Sequence, residues 1–234
     1  MNSVKRKAIF LTMIAVLVLS QSFISADDGF NEFAMHIYKK DINGIKELLA
    51  RGVDVDIREE TMGSTPLMVA CSLEGTYEIV ELLINKGADL DLQGTYDGRS
   101  PLMWAAANSQ NTVELLLAKG AKVNLVGVDG MTAYIQSIFG VLSSSVTTKV
   151  CSLLIAKGAN IDAQLTGPDA TGWTALMFAS SNGHLELVKH LISHKAQVNL
   201  KAKDGATALS LAIRSKNDEA VKILKANGAS ESGE

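Results

Sequence analysis

The 234-residue chain is poor in cysteine, proline and aromatic side chains, with Cys71 and Cys151, three prolines and 5% aromatics. Two cysteines allow one disulfide at most. Basic residues are not in excess, 22 against 25 acids for a formal charge of −3, and a mildly acidic chain is a poor phosphate binder. No nucleic-acid partner is therefore expected. The apolar stretch 8–19 falls short of the roughly 20 residues that a spanning helix needs. No nucleophile stands beside a base, no carboxylates pair in an apolar setting, and no glycine-rich loop suits a phosphate. Catalysis, and with it any cofactor, is not expected.

The start of the chain has its own layout. Lys5, Arg6 and Lys7 precede the apolar stretch, and Ser25-Ala26 precede Asp27-Asp28, which is the order of a secretory signal peptide. Residues 1–26 are read as that signal, cut after Ala26, with an uncleaved anchor as the alternative. The mature chain would have no stable membrane span and would be periplasmic or secreted. Removing residues 1–26 takes away three basic residues and no acid, leaving a formal charge of about −6.

The rest of the chain repeats itself. Thr65-Pro66-Leu67-Met68-Val69-Ala70, Ser100-Pro101-Leu102-Met103-Trp104-Ala105, Thr174-Ala175-Leu176-Met177-Phe178-Ala179 and Thr207-Ala208-Leu209-Ser210-Leu211-Ala212 are one phrase, and Thr132-Ala133-Tyr134 is a degraded copy. A second phrase, with leucines three and four residues apart and a terminal glycine, follows the first and ends at Gly87, Gly120, Gly158 and Gly228, and one more copy at the front ends at Gly52. Their spacings are 35, 33 and 38 residues, then 70, with Lys195 where a sixth glycine would stand.

Each phrase has a physical meaning. The Thr or Ser hydroxyl can accept from free amides at a helix start, and Pro66 or Pro101 fills a first turn where its missing N–H costs nothing. The second phrase is an amphipathic helix stopped by a glycine able to turn left-handed. Asp97-Gly98, Asp129-Gly130 and Asp204-Gly205 supply tight turns before the next helix start. One such unit cannot bury its apolar face, so neighbours must stack.

The period and the T-P-L phrase resemble the ankyrin repeat, and the resemblance covers residues from about Phe30 to Ala229. It implies an all-α solenoid of about six helix-turn-helix repeats with hairpin loops, near 29–60, 61–94, 95–127, 128–167, 168–201 and 202–229. Together these form one domain over 29–229, with 230–234 as a tail. The first and last units have the polar character of caps: the helix-start phrase is missing from the first, and Arg214 to Glu219 is a solvated run in the last.

Two departures interrupt the period. The fourth unit holds about five extra residues, rich in Ser and Thr, between its helix start at Thr132 and Leu153-Leu154, and its inter-helix loop is expected to bulge. An insertion at 165–170 lengthens the next hairpin. Such insertions are either part of a binding face or tolerated surface loops.

The two cysteines lie two repeats apart. Helix layers pack about 8–10 Å apart, so the pair should be nearly 20 Å apart, beyond the roughly 7 Å limit for a disulfide. Two buried free thiols are expected. His190 and His194 have a chelating spacing but no third ligand in sequence, and His184 matches a histidine that the family uses structurally, so no metal is expected.

The surface remains. The resemblance implies a protein partner gripped on the concave side, where the residue before each helix start points: Ser64, Arg99, Met131, Trp173 and Ala206. Tyr96, and Leu73, Asn108 and Ser181 after the helix-start phrases, are further candidates. Met131 and Trp173 are the informative pair, since exposed apolar tips cost solubility and aromatic anchors dominate interfaces. The alternative for Trp173 is that it covers its own repeat. Trp104 and Phe178 are expected to pack between repeats. The resulting expectation is a monomeric, exported bacterial protein-binding module that is not an enzyme. The alternative is a regulatory or protective subunit, inhibitor or chaperone-like, of an envelope enzyme such as one in oxidative-stress defence.

Overall fold

A computed structural model of the chain describes residues 29–143, 148–168 and 170–230. The signal-peptide segment and the tail from 231 onward lie outside the described residues. Among those described there are twelve helices and no strands, in six antiparallel pairs: α1 (Gly29–Tyr38) with α2 (Ile42–Ala50), α3 (Pro66–Ser72) with α4 (Tyr77–Asn85), and α5 (Pro101–Ala106) with α6 (Gln110–Ala118). The series continues with α7 (Ala133–Leu142) and α8 (Thr148–Ala156), α9 (Ala175–Ser181) and α10 (Leu185–Ser193), and α11 (Ala208–Arg214) and α12 (Asp218–Ala226). Inner helices α1, α3, α5, α7, α9 and α11 pack in sequence, each backed by its own outer helix.

Each inner helix after the first begins as its side chains require. Thr65, Ser100, Thr132, Thr174 and Thr207 hold an extended backbone, and each side-chain oxygen accepts from the amide three residues on. Thr207 and Ser210 cap each other reciprocally. Every position is buried from Pro66 to Ser72 in α3 and from Pro101 to Ala106 in α5. The outer helices bury one face only, for example Ile79, Val80 and Leu83 in α4.

The first unit, although it lacks the phrase, has a complete inner helix that buries Phe30, Phe33, Ala34 and Ile37. Lys195 takes the left-handed conformation that glycine takes in the other units, with φ +66°. In the fourth unit the expected bulge falls mostly outside the described residues, but α7 is ten residues long, against six in α5 and seven in α3. Part of the extra length is therefore wound into helix, where its amides are paired, and residues 144–147 lie outside the description. The long hairpin is present, closed from Leu165 N to Trp173 O, where the next hairpin closes from Ala202 N to Ala206 O.

Two ladders tie the repeats together. At the hairpin tips, the Thr95, Val128, Thr166 and Lys203 amides donate to the carbonyls of Met62, Asp97, Asp129 and Thr171 in the preceding hairpin, at 2.8 to 3.0 Å. At the hairpin bases a side chain does the same work. The Asp89, Lys122, Asn160, Gln197 and Ser230 amides donate to Asp56, Asp91, Asn124, Asp162 and Asn199. Such close approach leaves no room at Gly130, where a Cβ would lie 2.7 Å from the Thr166 nitrogen.

Cys71 in α3 and Cys151 in α8 are both free and buried. Burial pushes both thiols up, which keeps them in the unreactive protonated form. Outer-helix contacts run from repeat to repeat but are sparsest between α8 and α10.

A side chain in the left-handed region costs about 1–2 kcal/mol, partly offset by the entropy that glycine adds to the unfolded chain. Lys195→Gly is therefore expected to stabilise the fold by about 0.5–1 kcal/mol, read as a higher urea midpoint with an unchanged slope.

Candidate partner-binding surface

The residues before the helix starts fall into two groups. Ser64, Arg99 and Met131 are buried. Ser64 closes its hairpin by accepting from the Glu59 amide. The Arg99 guanidinium lies over the Trp104 ring, 4.9 Å from its centre, and its Nε is 3.5 Å from Asp97 Oδ2. The expected exposed tip at Met131 is corrected: only 7% of it is accessible, and it packs with Ile135, Ala163 and Leu165 in a small second core. Ile135 from its own unit, and Ala163 and Leu165 from the next hairpin, provide that cover. Trp173 and Ala206 are half-buried.

Leu73, Asn108 and Ser181 are also half-buried. Asn108 Nδ2 donates to the Trp104 carbonyl, and Ser181 Oγ lies 3.5 Å from Ser215 Oγ. Tyr96 is 69% exposed, with Val126 and Val128 also exposed near the tips of the third and fourth units. Trp104 is buried, as expected of a residue packed between repeats, but Phe178 is only half so.

A row of aromatics comes together between the fourth and fifth units. The Trp173 ring centre is 4.9 Å from that of Phe178, and Phe178 is 5.0 Å from Phe139 in an edge-to-face arrangement. All three are half-buried. Beneath them lies the small core around Met131. Beside Trp173 is a cleft of about 240 Å3 bounded by Pro168, Ala170, Thr171, Lys203 and Asp204. Trp173 thus both covers its own repeat and shows part of its ring outward.

Sequence reasoning missed Phe139. It stands seven residues after Thr132, as Ser181 stands seven after Thr174, so counting in register would have found it. The degraded phrase and the expected loop hid that count.

The histidines do not converge on a metal site. His190 and His194 have ring centres 4.4 Å apart, and His190 Nε2 is buried without a partner. Among the described residues no group of three His, Cys, Asp or Glu could hold an ion. His184 is the N-cap residue of α10 and makes no side-chain capping bond. No helix among the described residues is long and apolar enough to cross a membrane.

Stacked helix pairs joined by hairpins define a helical repeat solenoid. The family model for ankyrin repeats, three copies, matches residues 33–126 and 141–232, and the chain belongs to the ankyrin-repeat family. It is 29% identical over 195 residues, 82% of its length, to the SH3 and multiple ankyrin repeat domains protein 2 of Homo sapiens, of which it covers 10%. It is 30% identical over 172 residues, 72% of its length, to a probable 26S proteasome regulatory subunit of Saccharomyces cerevisiae, covering 58% of that protein. It is also 26% identical over 209 residues, 87% of its length, to a palmitoyltransferase of Lachancea kluyveri, covering 27%. The chain spans less than two thirds of each of these relatives. Repeats of this family form protein–protein interaction modules.

Burial and the neighbouring His194 hold the His190 pKa below its usual value. The unfolded chain then takes up a proton near pH 6.5 that the folded chain refuses. Stability from this residue is present above that pH and lost as pH falls below it. His190→Gln is expected to flatten the decline between pH 7 and 5.5, read from urea midpoints across that range.

Proposed function

We propose that this chain is a non-catalytic, exported module that holds a partner protein on its concave surface of hairpins and inner helices. The observation that carries the reading is the row Phe139, Phe178 and Trp173, each half-exposed among the described residues. Aromatic anchors of this kind supply a large share of interface energy. Export is supported by the basic start, the apolar stretch 8–19 and the small residues before Asp27. The catalytic reading has no support from side-chain chemistry: the clear shifts at Tyr38, Asp56, Tyr134 and His190 arise first from burial and not from a charged partner.

The anchor is tested by copurification from intact cells with wild type, Trp173→Ala and Phe139→Ala, folding being checked by circular dichroism. Each substitution should weaken retention of the partner at least tenfold, roughly 1.4 kcal/mol, within the range for aromatic hot spots. Undiminished retention by both folded variants would sink the assignment. A single stable enzyme in the eluate would make the chain a regulatory subunit, and N-terminal sequencing of the recovered protein should begin at Asp27.

A further inference from the structure

The inner surface is not uniform in charge along the stack. Toward the front, Glu60 at the end of the first unit and Glu74 in the second are exposed, alongside Glu59 and Arg58, whose guanidinium is taken up by the Gly63 and Gln93 carbonyls. The middle is the aromatic row. At the back, residues 201–217 hold four basic residues, Lys201, Lys203, Arg214 and Lys216, and one acid, Asp204, while the next two acids, Asp218 and Glu219, open the outer helix α12, where Glu219 pairs with Lys222. Lys203, Arg214 and Lys216 are exposed. This runs against the formal charge of −3 for the whole chain.

The register shows how the basic end meets the aromatics. Phe139, Ser181 and Arg214 each stand seven residues after a helix-start threonine, so they form one row along the inner helices. Lys203 bounds the cleft beside Trp173. Adjacent helix layers are about 10 Å apart, and an extended chain advances roughly 3.3 Å per residue. Trp173 and Phe178 are one layer from Arg214 and Phe139 is two, so about three to six residues of extended chain cover the distance.

Resting on the concave-surface reading above, we infer that the docked element is an acidic extended segment of the partner. It places one aromatic or large aliphatic side chain on the Phe139, Phe178 and Trp173 row and carries carboxylates three to six residues away, against Lys203, Arg214 and Lys216. The apolar residue supplies burial, and the carboxylates set direction along the groove and speed encounter. The opposite polarity would put acids against Glu60 and Glu74 and leave the basic end unpaired.

The test is selection of a random dodecapeptide library on phage against the full protein, then binding of the enriched peptides to wild type, Trp173→Ala and the double variant Lys203→Glu/Arg214→Glu. Enriched peptides should combine one large apolar residue with two or more acids at that spacing. Each variant should weaken them at least tenfold, and affinity should fall as salt rises. Both reversed residues are exposed, so an unchanged melting curve is expected for the double variant. Peptides that need Trp173 but have no acidic bias and ignore the charge reversal overturn this inference and leave the groove standing. Peptides indifferent to every variant overturn the groove reading itself. Failure of any peptide to enrich overturns docking of a segment and leaves the surface to a folded domain.

Discussion

The amide ladder at the hairpin bases is the constraint on which the stack depends. Each repeat offers one short side-chain acceptor, Asp56, Asp91, Asn124, Asp162 or Asn199, to a backbone amide of the next. A hydrogen bond of this kind contributes only about 1 kcal/mol, so its value lies in register. It sets how far one helix pair is displaced from its neighbour, and the apolar faces can interlock at only one displacement. Asn124 and Asn199 strengthen the rung by also donating to the carbonyls of Gly158 and Gly228. The tip ladder repeats the constraint at the other end of each hairpin, and between the two the concave surface is held in shape.

Much of this was legible in the amino-acid order. The capping threonines, the leucine spacing and the period are local features, and local features survive being read without a structure. Lys195 was legible for the same reason: a left-handed stop was required there whatever residue supplied it. The burial of Arg99 and Met131 was not legible, because exposure at a hairpin tip depends on the neighbouring hairpin. Met131 is covered in part by Ala163 and Leu165, more than 30 residues away in sequence. The extra turn of α7, Gly140 to Leu142, was not legible because the Ser and Thr residues just after it set the expectation of a loop; Ser143 caps the helix, its hydroxyl donating back to the Gly140 carbonyl.

Long-range polar contacts were equally invisible. Asn217 lies in the solvated run of the last unit, but its side chain donates to the Ser180 and Ser181 carbonyls of the unit before. It closes the free end of α9 in a way no spacing rule describes, and it binds the last repeat to the groove.

The sparse contact between α8 and α10 has a mechanical meaning. In a linear stack each unit is coupled only to its neighbours, so cooperativity is limited by the thinnest joint. Here that joint lies behind the aromatic row, between the fourth and fifth repeats. The inner helices α7 and α9 still pack against each other across this joint, so the row lies on the packed side of the thinnest interface in the stack. The Phe139, Phe178 and Trp173 rings, in contact across the fourth and fifth repeats, therefore add apolar contact at the place where the outer helices supply least.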